Sequence, residues 1–352
     1  AIQFLLLAAL PFGVATAADF SIGGNSSAAQ SLGNNQTGTV AANGALSVSG
    51  STVAVTITGN NATLNNLGAI KQTGSGRVIR DNTGVANLVV NNGSGALMQS
   101  ADADVIQMAK ANASVTLNNY GSMISLNASA GGAQAVDFNS VTGANVVNNY
   151  AGGLLKAIDA DAVRPGLNGV VNNAGTIKAV NAKGDGDGID AQTNTGVQVF
   201  NLPAGAIEGG RHGITGGQAD ALSSFTISVT NSAGGEIRGL NGSGINLDGF
   251  NGKQSATIFN HGTITGYGGT GDGDGIDADG IANITNTGII RSLNAYSAPA
   301  DGLAYSEGIS VGGGTIINSG TIEGLVGAGN ANAVGRGITL AGNDITGGAL
   351  KG

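Results

Sequence analysis

A chain of 352 residues can hold one elongated domain or two or three compact ones, and its composition argues against the compact ones. Sixty-four glycines, 10% charged and 4% aromatic residues and no tryptophan make a poor conventional core, while 41% hydrophobic residues exclude the signature of disorder. A net charge of −8 leaves no electrostatic footprint for nucleic acid or an anionic membrane, and zero cysteines exclude disulfide scaffolds and cysteine-ligated zinc.

The chain opens on "AIQFLLLAALPFGVATAADF": an apolar run from Ile2 to Leu10, helix-breaking Pro11, then Ala15-Thr16-Ala17 before Ala18-Asp19. That is the apolar region and cleavage site of a secretory signal peptide, so residues 1–17 are read as a truncated signal and the chain as exported. No later stretch has the ~18 apolar residues of a spanning helix. The end, "GGALKG", stops in mid-pattern, so any membrane anchor is expected beyond Gly352.

Residues 18–62 are less regular and are read as an N-terminal cap with imperfect rungs; residues 63–352 carry a repeat. Its mark is Asn, a short Gly-containing turn, then an apolar residue. It occurs at Asn66, Asn92, Asn119, Asn149, Asn173, Asn201, Asn231, Asn260, Asn286 and Asn318. Successive intervals are 26, 27, 30, 24, 28, 30, 29, 26 and 32 residues. An apolar segment precedes each Asn ("ANLVVN", "VTLN", "ATIFN"). Another follows the turn and reads Gly-Ile in the last six units, at Ile189, Ile214, Ile245, Ile276, Ile309 and Ile338. Three short strands and three turns per unit predict an all-β chain, a right-handed parallel β-helix of about ten rungs whose neighbours bury one another's apolar faces. At one corner Asn tolerates left-handed backbone and can stack on its copies. Insertions are expected at a single corner, before the Gly-Ile strand, where the spacing is seven residues from Ile207 to Ile214 but nineteen from Ile290 to Ile309. The longest of these loops carries Tyr296 and Tyr305 and is a candidate binding face.

"DGDGID" occurs twice. Asp185, Asp187 and Asp190, and likewise Asp272, Asp274, Asp277 and Asp279, could offer oxygens to Ca²⁺. The two copies lie three rungs apart, about 14 Å at strand spacing, and the preferred reading is an acidic, solvated corner. The residue before Gly-Ile runs Asp187, His212, Ser243, Asp274, Glu307, Arg336 on consecutive rungs. Asp187, His212 and Ser243 suggest a hydrolase triad, but no nucleophile elbow accompanies them, so no catalytic, cofactor-binding or metal-ligating residue is assigned. His261 occupies a slot filled elsewhere by Leu67, Tyr120, Ala174, Thr287 and Ser319, and is expected in an exposed turn.

Cysteine-free Asn-x-Gly-Thr-Ile rungs with Gly-Ile strands, behind a signal peptide, resemble the passenger region of Gram-negative autotransporters (type V secretion) over roughly residues 60–345. The resemblance implies an outer-membrane β-barrel translocator in the same full-length chain and export through periplasm and outer membrane to the cell surface. The function favoured among those open to such a passenger is a structural or adhesive surface protein, not an enzyme, with a host-cell or matrix receptor as possible partner and no cofactor. The alternatives are a rigid stalk for an effector beyond Gly352 and, less favoured, a polysaccharide-degrading β-helix enzyme. Few aromatic residues and no tryptophan argue against the enzyme.

Overall fold

A computed structural model describes residues 19–128, 132–181, 186–218, 223–249, 253–270, 273–295, 303–328 and 330–340. The predicted signal segment, Asp185, Asp272 and Tyr296 lie outside the described residues.

The chain winds as a right-handed parallel β-helix, with no α-helix among the described residues. One turn shows the plan: a first strand, Leu88–Asn92, a second, Leu97–Ser100, and a third, Ile106–Met108. Each pairs in parallel with its counterpart one turn on; Val90 faces Leu117, Met98 faces Met123 and Ile106 faces Val136. The second strands stack into a sheet of twelve. First and third strands join one larger sheet, because near the C-terminal end a third strand runs straight into the next first strand, as in Ile276–Asn286 and Ala304–Asn318. At about 4.8 Å per turn the stack is roughly 50 Å long. Residues Phe20–Ile57 already wind in this plan, with Ile22 and Val40 where later turns place Asn66 and its copies.

The alternation of apolar and polar residues produces this arrangement. In the second strands Leu46, Ile70, Met98, Met123, Leu155, Ile177, Ile207, Ile237, Ile264 and Ile290 all point inward and are fully buried. A single hydrophobic cluster runs unbroken from Ile22 to Val311. At ~25 cal/mol per Å² of apolar surface, each such side chain stabilises the stack by about 2 kcal/mol, and only because both neighbouring turns cover it. Ile338, in the same register as Ile309, is 46% exposed, because its strand pairs on one side alone among the described residues.

All ten repeat asparagines form one ladder, buried from Asn66 to Asn286 and exposed at its last member, Asn318. Each side-chain amide donates to the Oδ1 of the next: Asn66 to Asn92, Asn92 to Asn119 and so on to Asn260–Asn286, at 2.8 Å each, then Asn286 to Asn318 at 2.7 Å. The same amides also donate to backbone carbonyls of the adjoining turn, as Asn173 does to Ala206 O. The expectation that these asparagines also meet a left-handed backbone is corrected. The asparagines with positive φ are Asn35, Asn61, Asn87 and Asn168, at another corner. A second, outer ladder joins Asn65, Asn91, Asn118, Asn148 and Asn172 and ends where Phe200 takes the next position.

Insertions at a single corner are also corrected. The ladder corner hardly varies, with a spacing of four or six residues from each Asn to the next inward apolar residue. Both other corners vary. Between the third and first strands the spacing runs from nine residues (Ile309 to Asn318) to seventeen (Ile214 to Asn231).

Candidate functional site

The corner before the third strand holds most of the buried charges among the described residues. In register, the residue two positions ahead of each third-strand apolar residue runs Arg77, Asp104, Gln134, Asp161, Asp187, His212, Ser243, Asp274, Glu307, Arg336. The predicted upper half of this column is therefore real, and it continues four turns further down. From Asp104 to Glu307 every member is buried. Parallel strands bring each side chain under the backbone of the next turn, and the side chains accept its N–H. Asp104 Oδ1 accepts from Gln134 N (3.0 Å), Asp161 Oδ1 from Asp187 N (3.0 Å) and Asp187 Oδ1 from His212 N (2.9 Å). His212 Nδ1 accepts from Ser243 N (2.8 Å) and Asp274 Oδ1 from Glu307 N (2.9 Å). This seam needs close backbone approach. A Cβ on Gly209 would sit 1.6 Å from His212 O, and one on Gly239 2.3 Å from Ser243 O.

The acidic corner is not solvated, which corrects the reading of "DGDGID". Asp187 is 0%, Asp274 2% and Asp190 7% exposed. Asp161, Asp187 and Asp190 bring one carboxylate oxygen each to within 4.8 Å of one another. Two arginines meet them. Arg164 reaches Asp161 Oδ2 at 2.7 Å, and Arg211 grips Asp187 with Nε–Oδ1 at 3.0 Å and Nη2–Oδ2 at 2.6 Å. Asp190 accepts from the Gln192 backbone N–H at 2.7 Å and from its side-chain amide. Three carboxylates against two guanidiniums leave one surplus negative charge. Burial first, then the neighbouring Asp190 charge, pushes Asp161 up to about 8, and burial raises Asp190 as well.

Chemically the cluster is a braced ion network. Asp161, Asp187 and Asp190 are the residues that would hold a cation, but Ca²⁺ takes six to eight oxygens, and two guanidiniums already occupy these carboxylates. Asp277 and Asp279, in the second copy, are only half-buried. The triad does not assemble either. A triad needs the aspartate to accept from the imidazole and the imidazole to accept from the serine hydroxyl. Here Asp187 accepts from the backbone of His212, and His212 Nδ1 accepts from the backbone of Ser243. Ser243 Oγ is buried with no hydrogen-bond partner, and burial lowers His212 to about 4.

His261 lies in an exposed turn, its Nδ1 sharing a hydrogen with Thr287 Oγ1 at 2.7 Å. Tyr305 is 40% exposed and carries the Arg336 guanidinium 3.4 Å above its ring. Sequence reasoning missed Arg77, Asp104, Gln134 and Asp161, and with them the partners Arg164 and Arg211. A signal was available, since "RVI", "DVI", "QAV" and "DAV" stand on their turns where "DGI" and "HGI" stand later.

No family model, curated protein or solved structure matches this chain.

Proposed function

We propose that the chain is the passenger of an autotransporter-type surface protein, exported through periplasm and outer membrane by a β-barrel of the same full-length chain, where it acts as a structural and adhesive rod. One observation carries this reading. The polar residues repeated most conspicuously, nine of the ten ladder asparagines and the acids of the seam, are turned inward and consumed in holding turns together. What remains for recognition is the outer surface and two corners whose lengths vary. The signal-like N-terminus and the absence of cysteine support passage through a translocator.

The test is adhesion of beads coated with the whole chain to cultured host cells and to extracellular matrix. Binding above that of beads carrying an unrelated β-rich protein supports the adhesive role. Beads that bind nothing contradict it and favour the rigid stalk, a role that the uninterrupted asparagine ladder also suits.

A further inference from the structure

The outer face of the second-strand sheet carries a groove that the seam and ladder do not explain. Strand alternation sets three outward columns side by side on three consecutive turns: Glu236 and Thr263, then Arg238, Thr265 and Arg291, then Leu240, Tyr267 and Leu293. They line a hollow of about 370 Å³. One wall is cationic, with Arg238 and Arg291 two turns apart, roughly 10 Å at strand spacing. The other wall is apolar. Tyr267 is 41% and Leu240 45% exposed, and an antiparallel bridge to Gly242 fixes the Tyr267 backbone.

The charges in this groove are unbalanced in a way that is rare in the chain. Of seven arginines, five form ion pairs, and only Arg80 and Arg291 form none among the described residues. Arg291 spends one bond, Nε to Thr265 Oγ1 at 3.3 Å, and lines the groove with no carboxylate paired to it. Arg238 pairs with Glu208 at 3.0 Å and Glu236 at 3.5 Å, yet its Nε is buried without a partner. A planar fork without a carboxylate, beside an exposed aromatic ring and flanked by hydroxyls, matches one ligand chemistry. The fork takes a carboxylate, the ring takes the C–H face of a sugar, and Thr263 with Glu236 takes sugar hydroxyls.

We infer that this groove binds a carboxylated saccharide, a uronate unit of an acidic glycan. The inference rests on the adhesive reading and names its ligand class. It is tested by calorimetric titration of the whole chain with trigalacturonate and with the methyl ester of the same trisaccharide, which keeps the rings and removes the charge. The acid form binds saturably. The ester, Arg291→Gln and Tyr267→Ala each weaken binding by about tenfold or more, while both variants keep the parent melting temperature because neither side chain is in the core. No binding, equal binding of the ester, or unchanged binding by Arg291→Gln overturns the inference. Bead adhesion with free trigalacturonate as competitor separates the two ideas. Adhesion that persists under saturating trisaccharide overturns the groove's role and leaves the adhesive reading standing; binding without any bead adhesion does the reverse.

Discussion

At the scale of the residue, the asparagine ladder shows how a polar side chain can be a core residue. Inside the stack each amide gives and takes a bond along the rod, so burial costs nothing unmet until the ladder ends. It ends at Asn66, whose Oδ1 is buried without a donor because the turn below supplies Val40. Val40→Asn would give Asn66 Oδ1 a donor but strand its own Oδ1 over Ile22, so chemical denaturation should show no gain in stability; a gain of about 1 kcal/mol would show that the orphan acceptor is costly only at Asn66. The ten positions were legible in the sequence because their spacing, not their chemistry, announced them. Their role was half legible. Left-handed backbone belongs to Asn35, Asn61 and Asn87, which sequence alone could not tell from ladder members, since an Asn serves equally in either place.

The seam also makes a pH prediction. Asp161 rises from 3.8 to about 8 on folding, so between these values the native state holds a proton that the unfolded chain has lost. Its stabilising contribution is complete below about pH 4 and is lost as pH rises to about 8. His212 falls from 6.5 to about 4, so its term is present above pH 6.5 and lost on acidification toward 4. The two oppose each other below pH 6.5; above it the histidine term is constant and the raised carboxyls, Asp161 foremost, set the slope. Melting temperature should therefore decline from pH 6.5 to 8.5, and Asp161→Asn should flatten that decline. An equal slope in the variant would remove Asp161 as its source.

At the scale of the element, the third-strand corner is where reading and structure part most. Aligning the residue ahead of Gly-Ile found six members of the column, and their alignment is correct. Their burial was not legible, because a residue beside glycine in a turn ordinarily faces water. What turns it inward is the neighbouring turn's backbone N–H, a partner many residues away in sequence: 25 from Asp187 to His212, 33 from Asp274 to Glu307. The lower half escaped because the glycine position is taken there by Val78, Val105, Ala135 and Ala162, where the strand still fits. The inward apolar register was fully legible. Ile245 is 0% exposed, and Ile245→Asp would bury a charge with no partner, at a cost of several kcal/mol in denaturant midpoint. Calcium, by contrast, should leave the melting temperature where it is, because Arg164 and Arg211 already hold two of the three acids that it would use, Asp161 and Asp187. A calcium-dependent rise, abolished by Asp187→Asn, would reverse that assignment.

At the scale of the whole molecule, the rod is a one-dimensional stack in which each turn touches only its neighbours, so local breaks weaken everything they interrupt. The solenoid itself was readable from period and alternation. The distribution of its loops was not, because two corners change length while only the ladder corner holds constant. A scaffold that keeps one corner fixed and lets the other two vary is suited to displaying surface, and the groove around Arg291 is one surface on show. The central claim is that the repeated polar residues are structural braces. The most direct test is thermal unfolding of the whole chain carrying Asn173→Ala, followed by circular dichroism. Asn173 sits mid-ladder, fully buried, accepting from Asn149 and donating to Asn201 and to Ala206 O. The account predicts a β-rich variant that melts well below the parent, by about 2–4 kcal/mol of lost stability as two buried partners are stranded. A variant that melts with the parent would contradict it.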